Sequence, residues 1–88
     1  MSQPAFTKQF AKDVALAKRR GKDTGKLKAV IGTLLTGEAL SPVYRDHKLV
    51  GDYIGRRECH IDPDWLLIYK VVPGVMIFER TGIHLDLF

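Results

Sequence analysis

Apolar residues recur in two different rhythms along the chain, and the change of rhythm divides it. Between Phe6 and Arg20, the residues Phe6, Phe10, Val14 and Ala17 fall three or four positions apart. That spacing puts them on one face of a helix, with Lys8, Lys12 and Arg19 on another. Lys18, Arg19 and Arg20 suit the negative end of the helix dipole, and Gly21 supplies the left-handed residue with which many helices end. Leu27, Val30, Ile31, Leu34 and Leu35 form a second helical stripe. Asp23 or Thr24 caps its start and Gly37 its end. The short connection predicts an antiparallel helical hairpin.

From Glu38 to Gly55 the rhythm lapses into turn-forming residues, which reads as a surface loop. A period of two then takes over. Arg56, Glu58 and His60 alternate with Arg57, Cys59 and Ile61, so the two sets face opposite sides of a strand. Asp62-Pro63-Asp64 is a turn. Trp65 to Val72 is almost continuously apolar, as a central strand covered on both faces would be. Pro73-Gly74 is a second turn, and Val75 to Thr81 a third strand ending at Gly82. A segment around Gln3 to Ala5 could add a fourth strand, though Pro4 weakens it. The expected fold is α+β, with two N-terminal helices packed on an antiparallel sheet of three to four strands.

At 88 residues, the expectation is a single domain spanning 1–88. A net charge of +4 favours an anionic partner, and the basic residues extend beyond any detachable tail. One cysteine, Cys59, excludes a disulfide framework within a monomer and points to a reducing compartment. No signal-type or membrane-length apolar run occurs, so the expected location is the cytoplasm, with no membrane partner.

The three histidines, His47, His60 and His84, all fall in the second half. They could be ordinary surface residues. With Cys59 and Asp64 they are also acceptable metal ligands, but no zinc-type spacing is present and Cys59 and His60 must point to opposite faces. General acid–base chemistry on RNA uses the same residues differently. A 2′-hydroxyl attacking its neighbouring phosphate needs a base, an acid for the leaving oxygen and positive charge on the phosphate. Histidine titrates in the right range for proton transfer. His60 and His84 are candidates for that pair, with Asp64 or Glu58 as orienter or base. Arg80 and Arg56 are candidates for the phosphate, and Phe88 and Trp65 for stacking on a base. Each has a plainer reading: Trp65 as core, Asp64 as a turn residue, Glu58 in a surface ion pair with Arg56 or Arg80.

Asp46-His47-Lys48-Leu49, the run from Arg57 to Lys70 and the run from Glu79 to Phe88 together resemble the YafQ family of toxins in the RelE/ParE superfamily. The pattern His-x-x-Pro-Asp-Trp and the ending Arg-x-Gly-x-His-x-x-Leu-Phe carry most of the likeness, which extends over essentially the whole chain. The resemblance implies a RelE-like fold with a twisted antiparallel sheet. It implies the toxin of a type II toxin–antitoxin system, a ribosome-dependent mRNA endoribonuclease that needs neither metal nor other cofactor. Its partners would be a cognate antitoxin, the ribosome with its mRNA, and operator DNA through the antitoxin complex. By motif position the resemblance assigns function to His47, His60, Asp64, Trp65, His84 and Phe88, with Glu58 and Arg80 at positions that relatives also use. Two competing functions are a ParE-like gyrase poison and a non-catalytic RNA-binding module. Neither has a use for paired proton donors.

Overall fold

Two successive hairpins make the centre of the molecule. The computed structural model describes residues 2–88. Strands β3 (Arg57–Asp62), β4 (Trp65–Val72) and β5 (Val75–Gly82) pair antiparallel in order. Gly74, at φ +75°, makes the tight return between β4 and β5. Two outer strands complete the sheet in the order β1-β5-β4-β3-β2, where β1 is Gln3–Phe6 and β2 is His47–Lys48. β4 is therefore central. Leu66, Leu67 and Ile68 are wholly buried, which accounts for its unbroken apolar run.

The sheet differs from the expected one in two ways. It has five strands, and it is mixed, because β1 runs parallel to β5. Pro4 is accommodated because β1 is an edge strand and a missing N–H costs nothing on its outer side. β2 is only two residues long, too short for any periodicity to reveal it. Phe6 belongs to β1 and not to the first helix, yet it still stacks on Phe10 and Phe78.

Helix α1 (Lys8–Arg19) begins at Thr7, whose hydroxyl accepts the Phe10 N–H. Helix α2 (Thr24–Leu35) begins at Asp23, whose carboxylate accepts from Gly25. Phe10, Ala17, Leu27, Val30 and Leu34 pack on one sheet face against Cys59, Ile61, Trp65, Leu67, Tyr69 and Phe78. The opposite face is thinly covered. There Leu66 and Ile68 meet Leu87 from a one-turn helix, α3 (His84–Leu87), flanked by Leu49 and Tyr53. The tail beyond Gly82 is thus a short helix, and it closes one corner of an otherwise open face.

A β-bulge decides what that open face carries. Tyr69 pairs with Phe78, but Ile68 pairs with Arg80, so Glu79 is an extra residue in β5. Met76 and Phe78 point into the core. Strict alternation would send Arg80 after them. The extra residue reverses the parity, so Arg80 joins Ile68 on the open face and Thr81 turns inward. There the Trp65 indole donates to the Thr81 hydroxyl at 2.9 Å, and that hydroxyl donates to the Leu66 carbonyl at 2.7 Å.

Thr81→Val keeps the shape of this buried relay but strands the indole N–H. Loss of about 1–3 kcal/mol is expected. It should appear as a lower urea midpoint with an unchanged slope.

Candidate active site

Strand pairing brings the predicted residues into register on the open face. Arg80 lies opposite Ile68, Ile68 opposite Glu58 and Glu58 opposite His47, one row across four strands. The next row contains Gly82, Leu66 and His60. His84 follows from α3 and Phe88 from the chain end. The rings form a line, with centroids 6.4 Å apart for His47 and His60, 5.9 Å for His60 and His84, and 6.3 Å for His84 and Phe88. Tyr53 meets Phe88 edge-on at 5.3 Å.

Each imidazole is held by one nitrogen. Nδ1 of His84 lies 2.5 Å from Asp64 Oδ1, which also accepts the His84 backbone N–H. Nε2 of His60 lies 3.2 Å from Oε1 of Glu58, itself buried. Nδ1 of His47 lies 2.6 Å from the Arg45 carbonyl. An acceptor against Nδ1 of His84 and of His47 fixes the N–H there, so in the neutral form each of these two rings presents a bare Nε2. The His84 contact holds the Asp64 carboxyl below the usual carboxylate range.

Local structure explains how His84 comes to face His60. Asp86 accepts from the Ile83 N–H and closes the first turn of α3. A Cβ at Gly82 would sit 2.9 Å from Asp86 Oδ2, so glycine is what lets α3 fold back on β5. Arg20 grips Asp86 at 2.7 Å and keeps its carboxyl in the low, ionised range. Leu87 plugs onto Leu66 and Ile68, and Tyr53 donates to its carbonyl at 3.1 Å. Phe88 is left 62% exposed beyond this anchor.

The arginines are held by carboxylates. Arg56 Nε donates to Glu79 Oε1 at 2.7 Å, and Arg80 Nε to Asp13 Oδ2 at 2.8 Å. Glu58 pairs with His60, not with either arginine. A groove of about 610 Å³ opens beside His60, lined by Lys26, Tyr44, Arg45, Ile61 and Pro63.

One sequence expectation is corrected. Trp65 is wholly buried, with Thr81 bonded to its nitrogen and Lys22 Nζ 5.6 Å above its ring, so no face is free to stack on a base. It is core because it starts β4 on the helix side. Cys59 also lies on that side, away from the histidines, with burial first among the causes that push its thiol up to about 12. Among the described residues, no three His, Cys, Asp or Glu side chains form a metal-ligand group.

Sequence reasoning passed over three residues that shape the site. Asp46 accepts from the Tyr69 hydroxyl at 2.6 Å and from Arg57 at 3.3 Å, which pins the turn bearing His47 to the sheet. Tyr53 holds the C-terminal turn. Asp13 is buried at 7% exposure between Phe10 and Ala17. A charge set within the apolar stripe of a helix was the available signal for it.

Asp64 yields a direct test. Its carboxyl should titrate below about 3.9 by NMR and move back toward that value in His84→Ala. A folded-state pKa below the unfolded one adds stability above the unfolded value, and this is lost as pH falls through the folded value. Any stability cost of His84→Ala through this pair should therefore shrink in strong acid. An unchanged Asp64 titration would contradict the contact.

The family described as bacterial toxin of type II toxin-antitoxin system, YafQ, matches residues 2–88. The mRNA interferase toxin YafQ of Escherichia coli strain K12 is 45% identical over 84 residues, covering 94% of this chain and 91% of that protein. In the crystal structure of the E. coli DinJ-YafQ complex, the matching chain is 43% identical, with a TM-score of 0.93 and coverage of 100% of this chain and 99% of that one. A copper-bound mutant toxin from Helicobacter pylori is 40% identical, with a TM-score of 0.95 and full coverage of both chains. This chain belongs to the YafQ family of bacterial toxins of type II toxin–antitoxin systems.

Proposed function

We propose that this chain is an mRNA interferase that cuts messenger RNA in the ribosome by metal-independent acid–base chemistry. One observation carries the reading. Three imidazoles stand in line on the open face, each with an oxygen acceptor beside one nitrogen.

The 2′-hydroxyl attacks the adjacent phosphorus as a base takes its proton. The bond to the 5′-oxygen breaks as an acid protonates that oxygen, leaving a 2′,3′-cyclic phosphate. His60 and His84 carry the two transfers between them. Glu58 and Asp64 orient them and stabilise the imidazolium form, as a carboxylate does behind a catalytic histidine. Arg80, on the row that holds Glu58, meets the charge that builds on the phosphate, with Arg56 next to it. Exposed Phe88 stacks on a neighbouring base, and the groove beside His60 leaves room for the adjoining nucleotide. His47 binds at the far end of the row.

An antitoxin encoded alongside would cover this face and join the toxin on operator DNA, and the target would be met in the cytoplasm. The antitoxin reading draws on the E. coli complex, in which the family's toxin is held by DinJ. The copper in the H. pylori protein is given no role in cleavage.

Primer extension on a reporter mRNA, translated in a purified system, tests the function. Cuts at defined codon positions are expected only with ribosomes. His84→Ala should lower cleavage by about 10²–10⁴-fold while the fold persists. Deleting Phe88 should also lower it. Growth arrest without cuts would instead support a gyrase poison. Cleavage should survive chelation when polyamine keeps ribosomes intact. Loss restored by added metal would count against metal independence.

A further inference from the structure

We propose that Asp13, on the far side of the sheet edge from the histidines, is a positioning residue for cleavage, acting through Arg80. The inference rests on the mRNA interferase reading. Four donors converge on this one buried carboxylate: Arg80 Nε at 2.8 Å, Arg80 Nη2 at 3.3 Å, the Thr81 backbone N–H at 3.1 Å and Gln9 Nε2 at 3.0 Å.

The edge of β5 creates the vacancy that Asp13 fills. β1 stops pairing at Phe6 opposite Phe78, and the chain then turns into α1. The Thr81 N–H would have no strand acceptor there, and the Asp13 carboxylate takes that place. The same carboxylate grips the guanidinium from one side. Of its five N–H donors Asp13 engages two, one on Nε and one on Nη2. The others lie beyond Asp13, with the Tyr53 hydroxyl nearby, on the side where a phosphate would approach. Because both oxygens are used and Thr81 fixes one of them, the fork is set in position and in plane.

The contact also keeps charges apart. Arg80 and Glu58 share a row with only Ile68 between them. Two strand spacings are about 10 Å, within the joint reach of the two side chains. An Arg80 without Asp13 would swing toward Glu58 and compete with His60 for it. Asp13 thus maintains two separate pairs, Arg80 with Asp13 and Glu58 with His60.

A purely structural tie between α1 and β5 would show the same bonds, so the test must separate the two roles. Single-turnover cleavage on programmed ribosomes would be measured for wild type, Asp13→Asn, Arg80→Ala and the double variant. Asp13→Asn should slow the chemical step by about 100-fold, the scale expected when a catalytic group is misplaced. The half-saturating concentration should change by less than about threefold. In the Arg80→Ala background, Asp13→Asn should add no further loss, because its effect passes through that side chain. Losses that multiply, or an active Asp13→Asn, would overturn the proposal. A second measurement needs no variant. Relaxation of the Arg80 ¹⁵Nε in wild type should report a side chain as rigid as the backbone. A mobile Arg80 would overturn it equally. An inactive wild type would instead mark failure of the interferase reading, and this inference with it.

Discussion

The extra residue at Glu79 is the constraint on which this molecule turns. Up to Phe78, β5 alternates as any half-buried strand does. If that alternation continued, Arg80 would be driven into the core and Thr81 out of it. The bulge reverses both. It gives the buried indole of Trp65 a hydroxyl partner and gives the open face a cation. One backbone irregularity therefore serves the stability of the core and the chemistry of the site together.

The open face stays open because little is spent on covering it. α1 and α2 bury one side of the sheet, whereas the other is guarded only by Leu49, Tyr53 and the single turn of α3. That turn is too short to hold itself by backbone bonding alone. Its place is set by Arg20 on Asp86, by Leu87 on the sheet and by Tyr53 on the Leu87 carbonyl. Anchoring from several directions brings His84 to within ring contact of His60, although each comes from a different element. Phe88 gains a fixed base while its ring stays exposed.

Much of this was legible in the sequence, and the gaps have physical causes. The helical stripes, the central strand and the two faces of β3 all express a period that burial enforces, so they could be read directly. β1 was read only as an optional strand around Gln3 to Ala5 and β2 not at all, since a strand of four or two residues shows almost no period. α3 was hidden because one turn is fixed by tertiary contacts and not by propensity. The bulge too was invisible, because it depends on where Phe78 and Arg80 must end up. Among site residues, type and motif pointed to the histidines and Asp64. Trp65 was misplaced because an aromatic opening a strand looks alike whether it faces the core or solvent. Asp13, although its segment fits the family, was given no role because acid–base reasoning looks first to the histidines, and this carboxylate lies behind them on α1.

The carboxylates beside the histidines differ in burial. Asp64 is exposed, and its contact with His84 is screened by water. Glu58 is buried and faces His60 in a drier setting, where the same charge acts more strongly. Two chemically identical imidazoles on one surface thus meet unequally buried carboxylates. The difference originates in strand register, because Glu58 sits in the ladder between β2 and β4 while Asp64 sits in the turn beyond it. The setting of each histidine on this face thus follows from the same pairing that builds the sheet.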